Sequence, residues 1–132
     1  AAFKPGDEVI VPLFTCTATN IPFLYMGVKI VFADIDPNTM NVSIDSIRMN
    51  ITSKTRGIVV VHYGGLPCDM GAIQDIAKKH DLIVIEDAAH ALGGSYKGNK
   101  VGCCEYSDMT VLSFHPVKSI TSAEGGAFVP YR

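Results

Sequence analysis

The feature that most constrains this chain is an alternation of two kinds of segment. Apolar runs rich in Val and Ile recur at 8–11, 29–33, 57–61, 82–85, 109–114 and 126–129. Between several of them lie stretches with helical spacing. Runs of this length with no polar alternation, such as Gly57-Ile58-Val59-Val60-Val61, suit strands buried on both faces, as in a parallel sheet. The spacing predicts helices over 15–26, 43–50 and 69–80. The first would be capped by Thr15 or Thr17 and stopped by Gly27, with Pro22 kinking or breaking it. Ser43 would cap the second. In the third, Met70, Ile73, Ile76 and Ala77 fall on one stripe, and Lys78 and Lys79 sit near the C-terminal end. The segment 93–102 reads as a small turn-rich hairpin. Strands alternating with helices in this way predict an α/β fold: a mostly parallel sheet with helices on both faces, in three layers.

Several function classes are disfavoured. A length of 132 residues allows one domain at most, and 48% hydrophobic against 18% charged residues rules out disorder. The balance of 11 basic against 13 acidic residues gives no basic face for nucleic acid. No apolar run approaches the ~20 residues of a bilayer span. Cys16, Cys68, Cys103 and Cys104 form no CxxC pair, and His62, His80, His90 and His115 show no zinc-ligand spacing with them. The expectation is therefore free thiols in a reducing, cytoplasmic compartment and no metal. The first residues lack the apolar stretch of a secretory signal, and there is no initiator Met. Neither end reads as a natural domain edge, so residues 1–132 are expected to be a single incomplete domain.

Open α/β sheets gather ligands beyond the carboxyl ends of their strands. Three segments put polar groups there: Val61-His62-Tyr63-Gly64-Gly65, Ile85-Glu86-Asp87-Ala88-Ala89-His90 and Ser113-Phe114-His115-Pro116-Val117-Lys118. A carboxylate at the end of a buried strand is costly unless a cation meets it. Lys118, on a loop after a strand and beside the small-residue run 119–126, suits an amine nucleophile once its ordinary pKa of ~10.4 is lowered. Pyridoxal phosphate chemistry needs such a lysine, and an acid such as Asp87 to keep the pyridine nitrogen protonated. Plainer readings exist for each residue. Asp87 could be a helix cap, Lys118 a solvated charge, Ser113 a hydroxyl bonded to backbone, and Glu86 the other face of a strand end.

Together the segments resemble the sugar-nucleotide aminotransferases of the DegT/StrS family, pyridoxal-phosphate enzymes of fold type I. The matching stretches are Pro5-Gly6-Asp7-Glu8-Val9-Ile10, the FTCTATN run from Phe14 to Asn20, Phe32-Ala33-Asp34-Ile35-Asp36, Val61-His62-Tyr63-Gly64, Ile85-Glu86-Asp87-Ala88-Ala89-His90, and Ser113-Phe114-His115-Pro116-Val117-Lys118 followed by Ala123-Glu124-Gly125-Gly126. An ordered set covering nearly the whole chain is more specific than any one motif. The resemblance implies that Lys118 forms the Schiff base with the cofactor and shuttles a proton, and that Asp87 pairs with the pyridinium nitrogen. It further implies that His90 contacts the phenolic oxygen, where relatives often have Gln, and that Ser113 bonds the phosphate. Cys16 stands where the family places an aromatic against the ring, a departure that weakens stacking. His115 and Tyr63 would contact substrate.

Lys118 favours transamination, because relatives that dehydrate deoxysugars carry His at that position. Glutamate would donate the amino group. The acceptor would be a nucleotide-linked keto-sugar, a UDP-4-keto-6-deoxy sugar by the HPVKSITSAEGG stretch, made for lipopolysaccharide or another surface glycan. The family also implies a homodimer. Its members are longer, so this chain would be the central part of the large domain. The N-terminal phosphate loop and the C-terminal small domain would be absent, leaving the piece alone inactive and its cut sheet exposing apolar surface. The alternatives are an inactive truncated piece and a non-catalytic α/β binding module, for instance a nucleotide-binding one. The last lacks both GxGxxG after its first strand and a Walker loop.

Overall fold

The computed structural model describes residues 3–131. The chain ends Ala1, Ala2 and Arg132, on which the expectation of unnatural termini partly falls, lie outside the described residues. The elements run β1 (Glu8–Pro12), α1 (Thr17–Tyr25), β2 (Lys29–Ala33), α2 (Ile44–Asn50), β3 (Thr55–Val61), α3 (Met70–His80), β4 (Ile83–Asp87), β5 (Ser95–Tyr96), β6 (Asn99–Lys100), β7 (Met109–Ser113) and β8 (Gly126–Pro130). A single 3-10 turn, Tyr63–Gly65, follows β3. The main sheet has the order β2-β1-β3-β4-β7-β8. Every pairing in it is parallel except β7 with β8, which is antiparallel. This is the mostly parallel sheet that the apolar runs predict.

Side chains of a strand alternate between its two faces, and the core divides accordingly. Val9, Val11, Val59 and Ile85 pack with Phe23 of α1 and with Val28. Ile10, Ile58, Val60 and Val84 pack on the other face with Ile47 of α2 and with Met70, Ile73, Ile76 and Ala77 of α3. Helices therefore cover both faces. The four stripe residues of α3 are all buried, each large one contributing ~1.5–3 kcal/mol of transfer free energy. Asp69 caps this helix by accepting the Ala72 N–H, and Ser43 caps α2 by accepting the Ser46 N–H.

Helix α1 departs from expectation at its start. Neither Thr15 nor Thr17 caps it. Cys16 holds the N-cap position and its side chain accepts no cap hydrogen bond. The reason is that the Thr15 hydroxyl is engaged 2.8 Å from that of Thr19, one helical turn on. The helix also runs through Pro22 without a break. Proline there removes one amide donor, and the helix is short enough that its remaining bonds and the burial of Phe23 hold it. Gly27 ends it at φ +69°, a conformation glycine adopts without penalty.

The 93–102 hairpin is present as β5 and β6, tied to the start of α3 by Tyr96, whose hydroxyl donates to Asp69 at 2.6 Å and accepts the Gly71 N–H. At the β8 side of the sheet, Val111 and Phe128 are cross-strand partners and remain 41% and 58% exposed. No described helix is long and apolar enough to cross a membrane.

Candidate active site

The chain leaves β1 toward β2 on one side and returns to β3 on the other. Such a reversal opens a crevice beyond the carboxyl ends of the strands. A cleft of about 120 Å³ lies there, lined by Phe14, Thr15, Cys16, Val61, Tyr63, Asp87, Ala89, His90 and Lys118. Phe14 to Cys16 come from the loop after β1, Tyr63 from the turn after β3, and Asp87 to His90 from the end of β4. Lys118 comes from the loop after β7.

Parity along β4 decides which carboxylate reaches this cleft. Ile85 packs on the α1 face, and Asp87, two residues on, shares that face. Its Oδ2 accepts a hydrogen bond of 2.7 Å from the Thr19 hydroxyl of α1, and its Oδ1 accepts the Ala89 N–H at 3.1 Å. Because Thr19 donates to Asp87, the Thr15 hydroxyl is the donor in the Thr15–Thr19 contact. Two hydroxyls in series thus hold the carboxylate against rotation. Lys118 is half-buried and held by its backbone, which donates to the His115 carbonyl at 2.9 Å. Phe14, Tyr63 and His90 form an aromatic wall, with ring centroids 4.9 and 6.0 Å apart along the series.

The structure thus brings Cys16, Tyr63, Asp87, His90 and Lys118 to one cleft. Ser113 and His115 do not line it. Ser113 ends β7, where its hydroxyl accepts the His115 N–H at 3.4 Å. His115 is exposed, with Nε2 4.0 Å from a Glu124 carboxylate oxygen. Thr19 and Ala89 belong to the site without having been singled out, Thr15 was read only as a helix cap, and Phe14 only as a neighbour of Cys16. A signal existed for the two threonines: their spacing of four residues, at the start of a helical stretch, brings the two hydroxyls within reach of each other. Among the described residues, no group of three His, Cys, Asp or Glu is placed to hold a metal ion.

Residues 1–130 match the family model described as the DegT/DnrJ/EryC1/StrS aminotransferase family. The uncharacterised protein MJ1066 of Methanocaldococcus jannaschii is 47% identical over 123 residues, covering 93% of this chain and 31% of that protein. GDP-perosamine synthase of Escherichia coli O157:H7 is 44% identical over 124 residues, covering 94% of this chain and 34% of the relative. Among solved structures, the Helicobacter pylori aminotransferase PseC, involved in pseudoaminic acid biosynthesis, superposes with a TM-score of 0.92 at 36% identity, covering 98% of this chain and 34% of that one. The PLP form of a putative sugar aminotransferase, Spr1654 from Streptococcus pneumoniae, gives 0.91 at 35% identity, covering 98% and 36%, and its PMP form matches equally. The chain spans about a third of the length of these relatives. On the family match, the strand order and the cleft together, the chain belongs to the DegT/DnrJ/EryC1/StrS aminotransferase family.

Proposed function

We propose that this chain forms the central part of the large domain of a pyridoxal-phosphate-dependent aminotransferase acting on a nucleotide-linked keto-sugar. The observation that carries the reading is the meeting of Asp87, braced by Thr19 and Ala89, with Lys118 in one cleft at the reversal of the sheet. The side chains present fit the cofactor. One amine, one fixed carboxylate and an aromatic wall match an aldehyde, a basic ring nitrogen and a flat heterocycle in turn.

When bound, pyridoxal phosphate supplies an aldehyde for an amine and a ring that accepts the electron pair released at the substrate carbon. The roles of this chain's residues follow. Asp87, oriented by Thr19, would hold a proton on the ring nitrogen through a charge-assisted hydrogen bond. Lys118 would hold the aldehyde end of the cofactor through its amine and would serve as the base and acid for the proton at the substrate carbon. By the family resemblance His90 would contact the cofactor's phenolic oxygen, and Cys16 would stand against its ring where relatives have an aromatic. Tyr63, part of that wall, would contact the substrate. Ser113 and His115 are assigned to the phosphate and the substrate by family resemblance alone. Ser113 ends β7, and His115 stands on the loop after it that carries Lys118.

The keto-sugar reading is supported by the perosamine and pseudoaminic acid relatives. Glutamate as donor, a UDP-4-keto-6-deoxy sugar as acceptor, a role in surface polysaccharide, a cytoplasmic location and a homodimer follow from the family resemblance of the HPVKSITSAEGG stretch and its surroundings. The test uses the full-length gene product. Addition of pyridoxal phosphate should produce the visible absorption band of a lysine-bound cofactor, and Lys118→Ala should abolish it. Glutamate should then convert the cofactor to its amine form, and amination should be faster with UDP-linked than with GDP- or TDP-linked keto-sugars. A wild-type protein that acquires no band overturns the reading.

A further inference from the structure

On the opposite face of β4 from Asp87 lies a charged group with no part in the chemistry above. Glu86 is 5% exposed and His62 is fully buried, in a layer otherwise built from Ile10, Ile58, Val60 and Val84. Glu86 Oε2 lies 2.7 Å from His62 Nε2. His62 Nδ1 accepts the Cys68 backbone N–H at 3.2 Å, so that nitrogen is unprotonated and the Nε2 proton is the one directed at Glu86. The Ser107 hydroxyl donates to Glu86 Oε1, and the Thr110 hydroxyl donates to the same oxygen at 3.3 Å. Burial pushes the Glu86 pKa up, and the bonds from His62 and Ser107 more than offset it, holding the carboxyl below the ordinary range.

Stability alone does not account for this arrangement. Well-packed apolar side chains of similar volume commonly serve as well as a buried ionic group or better, because they avoid its desolvation. What the arrangement does accomplish is connection. Glu86 is bonded to β3 through His62, to β7 through Thr110 and to the β6–β7 loop through Ser107. His62 also donates its backbone N–H to the Asp87 carbonyl at 3.1 Å, and the Ala88 N–H donates to Val111 at 2.9 Å. Each tied strand delivers a cleft residue: β3 leads into Tyr63, β4 ends in Asp87, and β7 leads to Lys118.

We propose that Glu86 and His62 are a positioning pair, holding the carboxyl ends of β3, β4 and β7 in register so that Tyr63, Asp87 and Lys118 face one cofactor. The inference rests on the proposed function and deepens it. The pair acts through Asp87 from the far face of the sheet.

The experiment compares cofactor affinity, the pH midpoint of the visible band, and amide hydrogen exchange of the apo protein, in the full-length product. Glu86→Leu/His62→Leu replaces the pair by apolar groups, so melting should stay near wild type. Cofactor affinity should fall about tenfold to a hundredfold, because a small misplacement of the reacting groups is enough. The band's pH midpoint should shift, and exchange at the His62 and Ala89 amides should quicken. Glu86→Gln can accept from His62 and donate to the two hydroxyls, so it should restore affinity to within about threefold. Ser107→Ala removes one donor only. If the double variant does not fold, it decides the matter by a smaller change in the same direction. A folded double variant, or failing that Ser107→Ala, with wild-type affinity and band midpoint overturns the positioning role and leaves the proposed function standing. A wild-type protein without the band overturns both.

Discussion

Asp87 and Thr19 are the pair on which the site's geometry turns, because a half-buried strand-end carboxylate is free to turn unless a partner holds it. The hydroxyl bond of 2.7 Å holds the observed orientation. Thr19→Val should therefore cost about 1 kcal/mol of stability, since hydrogen bonds to charged groups are worth ~1.5–3 kcal/mol and water reaches half-buried Asp87 in part. Cofactor affinity, read by titrating the visible band, should drop roughly tenfold, while Thr19→Ser should behave as wild type. The cysteines make a second prediction at this scale. Burial pushes the Cys68 thiol up to about 12, and Cys104 is also buried, whereas Cys16 and Cys103 are exposed. A thiol reagent followed by peptide mass mapping should label Cys16 and Cys103 in the native protein and leave Cys68 and Cys104 untouched. Prior loading with pyridoxal phosphate should slow Cys16 alone.

Among the elements, strands and the α3 helix were legible in the sequence, because each buries a face at its own period. Met70, Ile73, Ile76 and Ala77 declare a helix, and unbroken apolar runs declare strands covered on both sides. Helix α1 was legible in extent and not in its start, since the Thr15 hydroxyl serves Thr19 rather than the helix terminus. The convergence of Asp87 and Lys118 could be read from their strand-end positions. The opposite destinations of Glu86 and Asp87 could not, because parity says that they differ and only the strand order says which face holds the cleft. His62 was read only as a strand-end polar group and Glu86 only as the other face of its strand end, because their pairing depends on the parallel register of β3 and β4. Strand ends carry a further prediction. Glu8, in β1, accepts from Thr52 at 2.6 Å and from Lys29 at 2.9 Å, and these bonds hold it below the ordinary range, as those from His62 and Ser107 hold Glu86. Both native pKa values are depressed, so the unfolded chain takes up protons first as pH falls past about 4.5. Stability from these groups is present above that pH and is lost below it. The melting temperature should decline on acidification through this window, and Glu8→Gln with Glu86→Gln should flatten the decline.

For the whole molecule, the strand order matters more than any single motif. It brings residues separated by a hundred positions, Thr15 and Lys118 among them, to one crevice. The most direct measurement of the central claim is borohydride reduction of the full-length protein in the presence of pyridoxal phosphate, followed by mass mapping of the modified lysine. A stoichiometric adduct on Lys118, lost or strongly weakened in Asp87→Ala, is the predicted result. An adduct spread over solvent-exposed lysines such as Lys4, Lys54 and Lys79, or one on Lys118 indifferent to Asp87, would contradict it.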